Sequence, residues 1–215
     1  VRMAELHRMR KALPEAGRCA EAALAVNPKS ARALRVIGFI QQKKGEIDPA
    51  LATYEKAAKL APKWAEIHAD VGFIHMLRGK TLLANRALDK ALELDKHLLY
   101  ARRTLGIVLF QRGKPKLAKK ELAVVLKKDD DDLRANRYMG YILLDEGKSK
   151  AAAKLFSKVA ELDPKDFDSL RMMGNAYLRM GKLEDAIEAY QEAIGRNGKY
   201  GFAYFDLGRA LEKQE

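Results

Sequence analysis

Four histidines, a lone cysteine, a run of aspartates and a set of paired glycines are the residues of this 215-residue chain from which chemistry could be built. The histidines are His7, His68, His75 and His97. His68 and His75 are seven apart, so on a helix they share a face but stand about 10 Å apart along the axis. That is too far for one metal ion, and both fall where a helix must pack. No His-Glu-x-x-His pattern occurs, and neither a serine nor Cys19 sits in a nucleophile motif. "KKDDDD" at Lys127 to Asp132 lacks the alternating carboxylates, turn glycine and distant glutamate of a calcium loop. Its lysines are better read as complementing one helix's carboxyl end, and its aspartates as capping the next helix. Gly38 and Gly45 have neither the preceding strand nor the Gly-Lys-Ser/Thr ending of a phosphate loop. The expectation is therefore no catalytic residue, no metal and no cofactor.

The glycines acquire a different meaning through repetition. Pairs recur at Gly72 and Gly79, Gly106 and Gly113, Gly140 and Gly147, Gly174 and Gly181, with Gly208 last, always at 34-residue steps. A fixed period of this length marks a repeat architecture. Apolar content of 48% excludes a disordered chain, and no apolar run is long enough to cross a bilayer. One cysteine allows no intramolecular disulfide and suits a reducing compartment. The formal charge of +12 suits an acidic protein, an anionic membrane or nucleic acid. The chain opens at Val1 inside a unit, which leaves room for a native segment before it.

Within the unit Ala31 to Trp64, Leu34, Ile37 and Ile40 follow helical spacing until Gly45. A second helix begins around Asp48-Pro49, buries Ala50, Leu51, Tyr54, Ala57 and Ala58, and ends before Pro62. Each unit is thus a helix–turn–helix. Gly38 would let its two helices approach closely, and Gly45 would end the first in a left-handed turn.

These positions carry a resemblance. Leu34, Ile37, Gly38, Ala50, Tyr54, Ala57 and Pro62 match the pattern of the tetratricopeptide repeat family. The match continues through Gly72, Ala84, Leu88 and Ala91, then Gly106, Ala118 and Leu122, then Gly140, Ala152, Phe156 and Pro164, then Gly174, Ala186, Tyr190 and Ala193. Ala16, Ala20, Ala23 and Pro28 mark a partial first unit, and Tyr204, Leu207, Gly208 and Leu211 a final first helix. The resemblance implies an all-α, right-handed superhelical solenoid over residues 1–215. Its units are about 1–30 (partial), 31–64, 65–98, 99–132, 133–166, 167–200 and 201–215 (a capping helix). Phe202, Tyr204 and Phe205 on that cap would need cover. In length and architecture the chain is similar to the bacterial magnetosome-associated scaffolds of this family (MamA type).

In the family, set positions of each first helix face a concave groove. Transferred here, they make a row of Arg35, Arg103, Arg137 and Arg171 beside an apolar floor of Phe39, Phe73, Met76, Phe110, Tyr141 and Leu144, with Asn175 at one end. Arginine among aromatics is the composition of binding hot spots, so the implied partner is a protein segment that is acidic and partly apolar. The bland reading is that these arginines pair with acids such as Glu66 or Asp168. The family's clamp for a carboxyl terminus is incomplete, because Asp206 stands where its second asparagine belongs. The implied function is a non-catalytic, cytoplasmic adaptor or scaffold. One alternative is a self-assembling homo-oligomer on an organelle or membrane surface. The other is a nucleic-acid or anionic-membrane binder using lysines of the second helices (Lys56, Lys90, Lys119, Lys120, Lys154, Lys158). Nucleic acid ranks last as a partner, because the base-reading code of helical-repeat RNA binders is absent.

Overall fold

The computed structural model describes residues 2–213, with side chains from residue 13 onward. Among them are twelve helices and no strand. After α1 (Arg2–Val26) they alternate as first and second helices of successive units: α2 (Ala31–Lys44), α3 (Ile47–Leu60), α4 (Ala65–Leu77), α5 (Thr81–Leu94), α6 (Leu99–Gln111), α7 (Pro115–Lys128), α8 (Leu133–Asp145), α9 (Ser149–Leu162), α10 (Phe167–Arg179), α11 (Leu183–Arg196) and α12 (Gly201–Leu211). The chain divides into two compact units, Val1–Val108 and Leu109–Glu215, with the division inside α6. In each, helices pack mainly on their neighbours in sequence, as the local contacts of a repeat array require.

Helix ends follow local chemistry. Ser30, Asp132 and Asp166 cap α2, α8 and α10 by accepting from the backbone N–H of Ala33, Ala135 and Ser169. Asp132 is the last residue of the charged run, while Asp130 and Asp131 accept from Lys158 at 3.0 Å. Lys127 and Lys128 close the last turn of α7. At Gly45 the chain turns left-handed (φ 82°), with Gly45 N–H donating to the Gln42 carbonyl and Glu46 N–H to that of Gln41. Counting 34 residues back from Gly45 gives Lys11, so no glycine is available there and α1 runs on through Pro14 as one helix.

The other glycine of each pair is a packing device. A Cβ on Gly38 would lie 2.8 Å from the Tyr54 ring, and one on Gly72 2.6 Å from Leu88 Cγ. Phe156 fills the same place over Gly140, and Tyr190 over Gly174. These second-helix residues are fully buried, with Ala50, Ala84, Ala152 and Ala186 one turn before them equally so. Gly208 holds the same register, but a Cβ there would have no described atom within 4 Å.

Candidate functional site

In the first unit, Arg35 of α2 reaches Asp70 of α4, its Nε donating to Oδ2 at 2.6 Å. Trp64, just before α4, lies under the guanidinium at 5.5 Å. Burial pushes the Asp70 carboxyl up to about 6, with Arg35 pulling the other way and Glu66 adding to the rise. Arg35 is therefore held from one edge. Its side chain is 34% exposed, and its two terminal nitrogens make no hydrogen bond among the described residues. Beside the pair opens an apolar depression of about 350 Å³, lined by Leu13, Ala16, Val36, Phe39 and Ile40 together with Arg35 and Asp70. Phe39 and Met76 are half-buried and pack on the core that holds Phe73. Phe73 itself is only 6% exposed and lies 6.0 Å from Tyr100, over which Arg103 sits at 5.5 Å.

In the second unit the anticipated floor is a network. Phe110, Tyr138 and Tyr141 form an aromatic trio with centroids 5.5–6.1 Å apart. Leu144 is buried at 3% exposure. The Tyr141 hydroxyl donates to Asp168 at 2.7 Å, and burial beside that carboxylate raises the phenol's pKa. Asp168 also accepts from the Tyr200 hydroxyl and from Arg171. Burial works to raise Asp168, yet these donors outweigh it and hold the carboxyl below its ordinary value. Arg171 donates further to Asp206 at 2.9 Å. Arg137 pairs with Asp166, and Asn175 accepts from the Tyr190 hydroxyl at 2.6 Å.

Arg35, Arg137 and Arg171 thus each have a carboxylate partner. In two of them the acid lies 35 residues on: Arg35 with Asp70 and Arg171 with Asp206. That spacing, one repeat plus one residue, was readable in the sequence but carries meaning only once consecutive first helices are seen side by side. Leu13 and Ala16 also went unforeseen, because they belong to α1, whose unit is partial. Of the histidines, His68 Nε2 lies 2.8 Å from the Pro62 carbonyl and His75 is buried, with burial lowering its pKa. His7 lies outside the described side chains. Among the described residues no three His, Cys, Asp or Glu side chains gather as metal ligands, and no helix is long and apolar enough to cross a membrane.

Tetratricopeptide repeat models match residues 31–63, 103–167 and 143–211. No curated protein matches the sequence. Solved structures do. YrrB, described as a TPR protein with an unusual peptide-binding site, is 25% identical over 86% of this chain and 96% of its own, with a TM-score of 0.67. MamA from Desulfovibrio magneticus RS-1 is 21% identical over 79% of this chain and 96% of its own (TM-score 0.67). PilF of Pseudomonas aeruginosa is 17% identical over the whole of this chain and 95% of its own (TM-score 0.79).

Proposed function

The chain belongs to the tetratricopeptide repeat family, a protein–protein interaction module, and from that premise we propose that it is a non-catalytic adaptor gripping a partner segment at Arg35. One observation carries this reading: a guanidinium fixed by Asp70 and Trp64, whose terminal nitrogens make no hydrogen bond among the described residues, borders an apolar depression. An apolar side chain of the partner would fill the depression beside Phe39. A neighbouring carboxylate would take the terminal nitrogens of Arg35 in a charge-assisted hydrogen bond. Arg137 and Arg171 are engaged with internal carboxylates and Arg103 packs over Tyr100, so these three brace the first helices and the partner's acids converge on Arg35 rather than on a row. The likeness to a protein with a peptide-binding site supports the reading. Exposed Cys19 suits a reducing compartment, and we assign the adaptor to the cytoplasm.

The test is a peptide array of acidic, apolar segments probed with wild type, Arg35→Gln and Phe39→Ala, circular dichroism verifying the fold. Each substitution should weaken the best peptides by roughly 30-fold, as removing a hot-spot contact of about 2 kcal/mol does. Peptides bound equally by all three proteins would refute the site.

A second reading, self-association, is favoured by α12. Phe202 is 70% and Phe205 64% exposed, with Tyr204 and Leu211 open beside them. An apolar patch of this kind marks an interaction surface. Light scattering across a concentration series would detect assembly, and Phe202→Ser with Phe205→Ser should abolish it.

A further inference from the structure

The second unit carries a cationic hollow on α9 that the partner-binding reading does not use. Lys150, Lys154 and Lys158 stand at i, i+4 and i+8, one side of the helix. With Tyr177, Met180 and Lys182 they bound a depression of about 680 Å³. A second depression of about 560 Å³ shares Lys150, Lys154 and Met180 with it, and adds Lys148 and Arg179.

Most of these cations are tied down. Lys158 bridges Asp130 and Asp131, Lys182 pairs with Asp185 at 2.7 Å, and Lys148 pairs with Glu146 at 2.7 Å. Arg179 donates to the Leu144 carbonyl. Lys150 and Lys154, the two shared by both depressions, have no partner among the described residues. Among the described residues Glu161 is the single carboxylate lining either wall, and it accepts from Ser157 at 2.8 Å.

Solubilising lysines normally alternate with acids. On α11 they do so, with Glu184, Asp185, Glu188 and Glu192 set near Lys182 and Arg196. On α9 the i,i+4 neighbours of Lys154 are both lysines, a like-charge arrangement that weakens a helix. An anion lying between them removes that repulsion. Lysine ammonium groups are suited to phosphoryl oxygens. The paired hollows are far wider than one tetrahedral anion. Ala153, Tyr177 and Met180 supply an apolar wall that an inorganic ion would not need.

We propose that this hollow binds an organic ligand bearing two or more phosphoryl groups, held chiefly by Lys150 and Lys154. The same chemistry occurs in a soluble polyphosphate ester and in a phosphorylated lipid headgroup, so the experiment has an arm for each. Inositol hexakisphosphate is titrated calorimetrically into the full chain. In parallel, sedimentation is measured with phosphatidylcholine vesicles, with and without phosphatidylinositol bisphosphate. The test variant is Lys150→Gln with Lys154→Gln. Its control is Lys59→Gln with Lys63→Gln, which removes the same charge from exposed positions at and just after the end of α3. Binding in at least one arm should fall about tenfold or more in the test variant and stay within about twofold in the control, and wild-type affinity should rise as salt is lowered. Binding of the soluble probe identifies a free ester, and binding confined to the doped vesicles identifies a headgroup. Equal loss in both variants would reduce the effect to net charge and overturn the site. So would no binding in either arm, or tighter binding to single-stranded RNA through the same two lysines.

Discussion

Gly174→Ala and Gly208→Ala are the same chemical change at the same register of the repeat, and they should act in opposite directions. A methyl on Gly174 would stand 2.5, 2.8 and 2.9 Å from three ring carbons of Tyr190, where carbon atoms prefer about 3.5–4.0 Å. The ring is fully buried and tethered by its hydroxyl to Asn175 at 2.6 Å, so it cannot swing aside cheaply. Overpacking of this kind costs about 1–3 kcal/mol, and the contact distances put it at the upper end. Alanine returns roughly 1 kcal/mol of helix propensity, leaving a net loss of about 1–2 kcal/mol. At Gly208 no described atom lies within 4 Å of the new methyl, so only the propensity term remains and the variant should gain up to about 1 kcal/mol. Urea unfolding followed by circular dichroism measures both. Adding Tyr190→Ala supplies the second arm: with the ring gone, Gly174→Ala should lose its penalty, a coupling visible in the double-mutant cycle. Gly174→Ala as stable as wild type, or Gly208→Ala equally harmful, would refute the idea that these glycines exist to seat a side chain.

Asp70 should give the protein an unusual pH response. Its carboxyl is raised from 3.8 to about 6 by burial, so above pH 6 the ionised form is penalised in the folded state. Protonation between pH 6 and 4 then adds stability, up to about 3 kcal/mol from this group alone. Asp70→Asn lacks that gain, so thermal melts at pH 7, 5.5 and 4 should show the variant falling progressively behind wild type as the pH drops. Parallel curves would contradict the assignment. Tyr141→Phe removes one donor to Asp168 and should cost about 1 kcal/mol, since Tyr200 and Arg171 still serve the carboxylate. A melt unchanged from wild type would show that bond to be idle.

Helices were legible here because they are written locally and written repeatedly. The glycine that ends α2 and the tyrosine that fills the space over Gly38 lie within a single 34-residue unit, and each copy confirms the others. What the periodicity hid was the state of each side chain on the first helices. Phe73 and Leu144 occupy groove positions by register, yet neighbouring helices cover both of them. Arg171 and Arg35 are equivalent by register as well. One is held by Asp168, Asp206 and Tyr200, while among the described residues the other is hydrogen-bonded through Nε to Asp70 alone. Differences of this kind come from residues a whole repeat away, and no pattern internal to the unit records them. The long α1 is a similar case, where Lys11 replaces the turn glycine and lets the helix continue.

The pairing of Arg35 with Asp70, and of Arg171 with Asp206, bears on how such a chain can change over generations. The glycine contacts are closed within their own unit, so duplicating or excising a unit carries them along intact. The arginine–aspartate pairs straddle unit boundaries and have no such immunity. Excising residues 65–98 would bring Thr104 to the place of Asp70 and strand the guanidinium of Arg35. The array is modular in its helix pairs but not in its order. Those two ion pairs act as punctuation, making certain units legitimate neighbours and others not.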